Sequence, residues 1–207
     1  MLSMGKRPYH QHKRAQQADR TRQDILEAAR SVLMEAPFVA IHLETVASRA
    51  GVARSTIYTL FGSRLGLFEA LAQDFRERGG FGAIQAAFTL PDAREILRHS
   101  LGAAVQLYVK EGRLWRALQL QALIDPDAAM LTSREDHDRI GGMHYLAQLL
   151  DQQGYVRAGV SVTEVGQVLA MLSDFLVYDQ LTMTMGLNAD QLLAHLLLTT
   201  QCFLRPE

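Results

Sequence analysis

Residues 43–64, LETVASRAGVARSTIYTLFGSR, place two short amphipathic segments on either side of Gly51. Two helices that meet at a wide angle across a tight turn often need a residue with positive φ, which glycine adopts without a Cβ clash. Ala47, four residues earlier, is small enough for the helices to approach closely. The positions that would face a shared interior are all apolar: Val46, Ala50, Val52, Ile57 and Leu60. The pattern predicts helices over 43–50 and 54–60, joined at Gly51.

The outer face of the second helix carries small polar, basic and aromatic residues. They are Arg54, Ser55, Thr56, Tyr58 and Thr59. Side chains of these types contact phosphates and base edges when a helix lies in the major groove of DNA. The pattern therefore favours a helix-turn-helix that binds DNA over its alternative, a plain helical hairpin with a glycine turn.

The rest of the chain also reads as helical, with almost no strand signal. Apolar residues recur at three- and four-residue spacing, and Gly, Pro or capping residues mark the ends of the segments. The helices predicted besides the first two lie at 20–36, 64–78, 91–111, 113–124, 125–153, 162–185 and 189–204. We therefore expect an all-α protein of about nine helices.

Charge and composition limit the environment and the partners. The 207 residues include one cysteine, and the basic, polar N-terminus lacks the apolar core of a secretory signal. The most apolar run, 192–204, is too short to cross a bilayer, so we expect a cytoplasmic protein without membrane partners. Residues 1–64 hold ten basic and five acidic side chains, a net charge of +5 against −6 for the remainder. This asymmetry suggests an N-terminal part that faces nucleic acid, although charge runs are also common on solvated faces.

The stretch resembles the tetracycline-repressor (TetR) family of bacterial transcription regulators. The resemblance rests on VASRAGV at 46–52, Ile57-Tyr58, Phe61, Ser63-Arg64 and Leu67, and on ILEAAR at 25–30 in the preceding helix. It is specific over about residues 20–75. Beyond that region only size, helical content and helix count are similar, so no subfamily follows.

The resemblance implies a division of the chain into three parts. Residues 1–19 are a basic arm, for which contact with DNA and disorder are both open. Residues 20–66 are the helix-turn-helix DNA-binding domain, and residues 67–207 are a C-terminal domain for ligand binding and dimerisation. The helix over 64–78 links the two domains.

The resemblance also implies roles for single residues. Arg54, Ser55, Thr56 and Tyr58 would lie on the recognition helix with Thr59 beside them, and Arg64 would hold a phosphate at the start of the fourth helix. A helix N-terminus suits that role because its free N–H groups and dipole attract anions. The chain departs from the family at His42 and Ala53, where it lacks the commoner capping residues. Glu44 would repel a phosphate, and we expect it to face away from DNA.

The last two predicted helices, 162–185 and 189–204, are more apolar than one helical layer can bury. Leucines cover much of the circumference of the second of them, as expected of a helix packed on both sides. A two-fold homodimer through these helices would bury them and would match a palindromic operator in double-stranded DNA. The alternative is that both helices simply complete the core of one chain.

Aromatic residues, methionines and histidines in the C-terminal part are candidates for the lining of a cavity that takes a small-molecule effector. They are Tyr108, Trp115, Met143, His144, Met171, Phe175 and Tyr178. Residues of these types are more often core than pocket, and the expected apolar or aromatic effector stays unidentified. Asp174 or His137 are candidates for anchoring a polar group on it.

The sequence shows no recognised catalytic spacing, metal-ligand set or cofactor motif. His137 and His144 are seven residues apart, about two helical turns, which is too far for one metal ion. We therefore expect no enzyme activity, no cofactor and no metal. The expectation is a ligand-responsive repressor, with an architectural DNA binder that lacks an effector as the alternative.

Overall fold

A computed structural model describes residues 7–206 of the chain. They form ten α-helices and one π-helix: α1 (Arg7–Glu35), α2 (Leu43–Ala50), α3 (Arg54–Phe61), α4 (Arg64–Gly79), α5 (Gly82–Ala87), α6 (Ala93–Ala122), α7 (Pro126–Gln152), α8 (Val162–Leu172), α9 (Phe175–Asp179), the π-helix (Gln180–Thr184) and α10 (Ala189–Thr200). The only β-type pairing in this part of the chain is one isolated bridge between Val156 and Leu204. The predicted all-α class is confirmed.

The first helix is longer than its apolar pattern indicated. It begins at Arg7 and not at residue 20, so much of the stretch predicted as a basic arm continues α1. Lys13 on this extension is exposed. Residues 1–6 of the predicted arm lie outside the described residues, and contact of the arm with DNA stays a prediction.

The helices form two compact units. The first comprises residues 7–74 and Arg116–Leu131, and the second comprises Phe75–Trp115 and residues 132–206. The chain passes from one unit to the other within α4, α6 and α7. Each unit is built from separate stretches of chain, so this grouping does not test a single boundary at residue 66. The division predicted there stays a prediction.

The core of the first unit is formed by the apolar stripes of α1 to α4. In this unit α1 packs against both α2 and α3. The buried residues include Ile25, Ala29, Leu33, Val46, Ile57, Leu67, Phe68 and Leu71. An ion pair between Arg30 of α1 and Asp74 of α4, with 2.9 Å between Nη1 and Oδ2, is itself almost wholly buried. Burial of one stripe per helix leaves the opposite faces of α2 and α3 in solvent.

Gln121 fastens the loop between α1 and α2. Its side chain is completely buried. The amide nitrogen donates to the backbone carbonyls of Pro37 at 2.9 Å and Val39 at 2.7 Å, and the amide oxygen accepts from the backbone N–H of Ile41 at 3.3 Å. One side chain near the end of α6 thus satisfies three polar groups of a loop with no regular structure.

The second unit encloses a larger apolar core. It is built from α6, α7, α8 and α10, and its fully buried members include Leu101, Leu146, Leu150, Leu169 and Leu192. Along α10, Leu192 and Leu196 are buried whereas Leu198 is 63% exposed. One face of α10 therefore completes the core of its own chain.

Two predicted helix boundaries were wrong around residue 112. The sequence indicated a helix that stops at Gly112 and a second segment over 113–124, but α6 runs unbroken from Ala93 to Ala122. A Cβ added at Gly112 would lie 3.3 Å from Cε2 of Phe175. This glycine therefore lies at a close contact within the second unit and does not end a helix.

The prediction of one helix over 162–185 was also wrong. The segment is divided into α8, α9 and the π-helix, with Ser173 and Asp174 at the break between α8 and α9. Asp174 has extended backbone angles, and its carboxylate accepts from the N–H of Leu176 at 2.7 Å, so it caps α9. Helix α5, between the two predicted helices 64–78 and 91–111, was not predicted at all.

Within residues 7–206, no helix has both the length and the apolar content needed to span a bilayer.

Replacing Gln121 with Leu tests the loop fastening. The variant has an apolar side chain of similar size but leaves the buried N–H of Ile41 without its acceptor, so we expect a loss of about 3 kcal/mol in the free energy of unfolding. Urea denaturation followed by circular dichroism measures it. Gln148→Leu, at an exposed position of α7, is the control and should change stability by less than about 0.5 kcal/mol. Equal stabilities for the two variants would contradict the assignment.

Candidate DNA-binding surface and internal cavity

The turn between α2 and α3 depends on the backbone conformation of Gly51. Its φ of 65° and ψ of 31° lie in the left-handed region, as predicted for this glycine. Its N–H points to the carbonyls of Ala47 and Ser48, and the N–H of Val52 donates to Ala47 at 3.0 Å. Ala47 is buried, as the close approach requires. The geometry of a helix-turn-helix is therefore present at the predicted residues.

Helix α3 presents the predicted residues outward. Arg54, Ser55, Tyr58 and Thr59 are exposed, Thr56 is partly buried, and Ile57 on the opposite face is fully buried. The hydroxyl of Thr59 donates to the carbonyl of Ser55 at 2.9 Å. Neither His42 nor Ala53 caps its helix with a side-chain hydrogen bond, in line with the departures noted in the sequence. The outer face of α3 is thus a short polar surface on a helix anchored from behind.

Arg54 is the centre of a small polar network on this surface. Its Nη2 donates to the hydroxyl of Tyr58 at 3.0 Å, and its Nη1 lies 2.6 Å from Oε1 of Glu44. The hydrogen bond with Tyr58 and then the charge of Glu44 raise the pKa of the Arg54 guanidinium. The carboxylate of Glu44 thus lies beside a residue of the predicted reading surface, and the expectation that it faces away from DNA stays a prediction.

The end of α3 is held by contacts that the sequence did not predict. Arg22 of α1 donates to the carbonyl of Leu60 at 3.1 Å, and its guanidinium lies 4.4 Å from the centre of the Phe61 ring. The hydroxyl of Ser63 accepts from the N–H of Gly66 at 3.0 Å and so satisfies a free group at the start of α4. A side chain at Gly66 would overlap the carbonyl oxygen of Phe61. These contacts fix where α3 ends and α4 begins.

Arg64 is engaged within the chain. Its Nη1 and Nη2 donate to the two carboxylate oxygens of Asp125 at 2.6 and 3.1 Å, and its Nε donates to Asp127 at 2.9 Å. The Asp125 side chain is 1% exposed, and that of Arg64 is 34% exposed. Asp125 also accepts from the N–H of Asp127 at 3.0 Å, at the start of α7. The phosphate role expected of Arg64 stays a prediction, and the structure gives this residue a second role, as the partner of a buried carboxylate.

The second unit contains a cavity of about 600 Å³. Cavities of this size are typical of small-molecule sites in proteins. Most of the wall is apolar, and its members include Phe75, Phe81, Phe88, Leu101, Tyr108 and Trp115. Phe75 and Trp115 stack with ring centres 4.9 Å apart. The second unit therefore has a partly open cavity that an apolar or aromatic molecule would fit.

The cavity is lined by three of the seven residues predicted for it. Tyr108, Trp115 and Met143 are among its wall residues, and the other four are not. Phe175 is buried against Tyr108, with ring centres 5.2 Å apart, and Tyr178 lines a much smaller void of about 10 Å³.

The remaining two predicted pocket residues have other surroundings. The ring of His144 lies against Gly166, where an added side chain would overlap the imidazole, so this pair fixes a close approach of α7 and α8. Met171 is 54% exposed on α8. The suggested anchors His137 and Asp174 are not wall residues of the cavity either.

Charged groups also line the cavity, and its two arginines are paired. Arg76 donates to Glu135. Arg139 donates to Asp136 at 3.2 Å, to Asp174 at 2.7 Å, to Ser173 and to the carbonyl of Ala170. The sequence did not reveal these residues as neighbours, because the pairs join segments up to 59 positions apart.

A buried hydroxyl adds a polar group to the apolar wall. Tyr108 is almost fully buried, and burial raises the pKa of its phenol well above the usual range. The group is therefore neutral at physiological pH. Its hydroxyl donates to the carbonyl of Ser173 at 3.4 Å.

The first unit has the architecture of a helix-turn-helix DNA-binding domain, with a recognition helix anchored on its apolar side. Residues 25–71 match the sequence profile described as "Bacterial regulatory proteins, tetR family". Over these residues the chain is similar to the DNA-binding region of that family. The match covers the helix-turn-helix and its flanking helices, which is the region where the sequence resemblance is specific.

Comparison with individual proteins agrees with this match. The chain is 42% identical over 57 residues to the HTH-type transcriptional regulator AlkX of Mycobacterium tuberculosis, a match that spans 28% of this chain and 27% of that protein. The solved structure of NalD, the secondary repressor of the MexAB-OprM multidrug efflux pump in Pseudomonas aeruginosa, is 22% identical, with a TM-score of 0.71 over 91% of this chain and 99% of that one. The ketosteroid transcriptional regulator KstR2 of Mycobacterium tuberculosis is 17% identical, with a TM-score of 0.65 over 89% and 95%. At these identities the two structures establish the fold alone.

Replacing Arg64 with Ala should lower the free energy of unfolding by about 2 to 3 kcal/mol. The substitution leaves the nearly inaccessible carboxylate of Asp125 without its cation. Arg49→Ala is the matched control, because it breaks the exposed pair with Glu35 and should cost less than about 1 kcal/mol. Urea denaturation compares the two. If Arg64→Ala were no more destabilising than Arg49→Ala, the ion pair would not support the start of α4.

Proposed function

We propose that this protein is a dimeric transcriptional repressor that binds a palindromic operator in double-stranded DNA and is released by a small-molecule effector. The observation that carries the DNA-binding part is the outward polar face of α3, with Ile57 buried behind it. A helix held in this way presents its side chains to base edges without having to reorganise on binding. The match of residues 25–71 to the profile of the tetR family supports the same role.

The proposed homodimer forms through the segments predicted at 162–185 and 189–204. Several large apolar side chains of these segments are exposed in the single chain: Met171, Leu176, Met183, Met185 and Leu198. Exposed apolar groups gathered on the last helices are typical of a surface that another subunit covers. A two-fold dimer would set two recognition helices about 34 to 36 Å apart, one turn of DNA.

The effector would occupy the cavity of the second unit. Helix α4 supplies Phe75 and Arg76 to the cavity wall, and the same helix begins at Arg64, directly after the recognition helix. A ligand that shifts α4 would change the spacing of the recognition helices in the dimer. Affinity for the operator would fall, provided that the ligand binds the shifted state better.

The alternatives account for fewer of the observations. An architectural DNA binder without an effector would have no use for a cavity of about 600 Å³. An enzyme would need reactive groups gathered in that cavity, whereas its arginines and two of its carboxylates are paired with each other. We accordingly propose a regulator without enzyme activity, acting in the cytoplasm where its DNA lies.

Selection of bound duplexes from a randomised pool tests the DNA-binding proposal. We expect the selected sites to be inverted repeats. Tyr58→Ala and Thr56→Ala should bind the selected site roughly 5- to 100-fold more weakly and random duplex almost unchanged, because these side chains would read bases. Gln148→Ala, an exposed position in the second unit, serves as the control and should bind like the wild type.

The salt dependence of binding separates the two roles of Arg64. If Arg64 also holds a phosphate, Arg64→Ala should reduce the slope of log K against log [salt] by about 0.9. An unchanged slope would leave only the structural role. Selection of no inverted repeat, together with equal affinity for all duplexes, would refute the repressor proposal.

Leu198→Glu tests the dimer. Since Leu198 is 63% exposed in the single chain, the charge should not harm the fold of the monomer but should separate the subunits. We expect the wild type to sediment as a dimer, and Leu198→Glu combined with Met171→Glu to sediment as a monomer at micromolar concentration. Gln148→Glu adds the same charge outside the proposed interface and should remain dimeric. A monomeric wild type, or a double variant that dimerises normally, would contradict the proposed interface.

A further inference from the structure

The described wall of the cavity has more carboxylates than guanidinium groups. Arg76 is paired with Glu135, and Arg139 is paired with Asp136 and with Asp174 at the start of α9. Asp138, which also lines the cavity, is exposed and makes no hydrogen bond or ion pair with any described residue. Within the described part of the wall, both cations are thus committed to carboxylates, and one carboxylate is left over.

The apolar part of the wall is rich in aromatic rings. Phe75, Phe81, Phe88, Tyr108 and Trp115 all contribute to it. Aromatic faces attract cations through the negative charge density of their π systems, and the attraction grows when water is excluded. An aromatic wall and a spare carboxylate in one cavity therefore favour the same ligand charge.

We propose that the cavity binds an organic cation with an apolar body, whose positive charge lies beside Asp138 while its apolar part contacts the aromatic wall. This inference rests on the proposed function, since the cation would be the effector. It narrows the expected chemical class of the effector from any apolar or aromatic molecule to a positively charged one.

An anionic ligand fits the same wall poorly. It would need a free guanidinium, but taking Arg76 or Arg139 would release Glu135 or Asp136 beside the incoming negative charge. A neutral apolar ligand is also less favoured, because it would displace water from Asp138 and offer nothing in exchange. A cation replaces that water with an opposite charge, so the wall discriminates by charge as well as by shape.

Trp115 provides a direct readout of binding. It is the only tryptophan of the chain and lies in the cavity wall. Three probes share a ten-carbon chain and differ in charge: decyltrimethylammonium, decan-1-ol and decanoate. Titration of the full-length wild type, followed by the fluorescence of Trp115, should give a dissociation constant for decyltrimethylammonium at least ten-fold lower than that for decanoate.

Asp138→Asn tests the residue that sets the preference. Removing one partly solvated charge should weaken binding of decyltrimethylammonium about five-fold and leave binding of decan-1-ol within two-fold of the wild type. The decan-1-ol titration also shows that the variant keeps its cavity. Asp151→Asn is the matched control, because Asp151 is exposed on the same helix, α7, and does not line the cavity. This variant should bind all three probes like the wild type.

Three results would overturn the inference. They are no fluorescence response of the wild type to decyltrimethylammonium, binding of decanoate as tight as that of the cation, and an unchanged cation affinity in Asp138→Asn. None of these titrations contains DNA. Cation binding without any operator binding would therefore refute the proposed function alone. Operator release by decanoate in preference to the cation would refute the charge preference but not the proposed repressor function.

Discussion

The buried carboxylate of Asp125 connects the starts of two helices. It receives two hydrogen bonds from Arg64 at the start of α4 and accepts the N–H of Asp127 at the start of α7. An ionised carboxylate with 1% of its side chain exposed is stable only because these donors replace the water it has lost. The starts of α4 and α7 are therefore tied together within the first unit.

The helix-turn-helix was predictable because its requirements are local. A glycine with positive φ, a small residue four positions earlier and a buried Ile57 are all specified within fifteen residues. Helix α2 accordingly has the predicted bounds, and α3 extends one residue further. Other boundaries failed where a distant contact decides the structure. Gly112 lies inside α6, where an added Cβ would come within 3.3 Å of Phe175, 63 positions away in the sequence.

The lining of the cavity was less predictable for the same reason. Tyr108 and Phe175 are both buried aromatic residues, yet Tyr108 lines the cavity and Phe175 packs behind it. Periodicity gives the buried face of a helix but not whether that face meets side chains or an open space. Helix α5, which contributes Ile84 and Gln85 to the wall, was not predicted at all. Residues paired across the fold, such as Arg76 and Glu135, have no local signature in the sequence.

Arg139 relates the cavity to the helices of the proposed dimer interface. It lines the cavity, and its guanidinium also donates to Ala170, Ser173 and Asp174, where α8 ends and α9 begins. Asp174 accepts a hydrogen bond from Arg139 and also caps α9. The break between α8 and α9 is therefore held by the guanidinium of Arg139, which also lines the cavity. A cation beside Asp138 leaves these bonds intact, whereas an anion would compete for them. Under the proposed binding mode, the charge of the ligand would decide whether binding only fills the cavity or also disturbs the junction of α8 and α9.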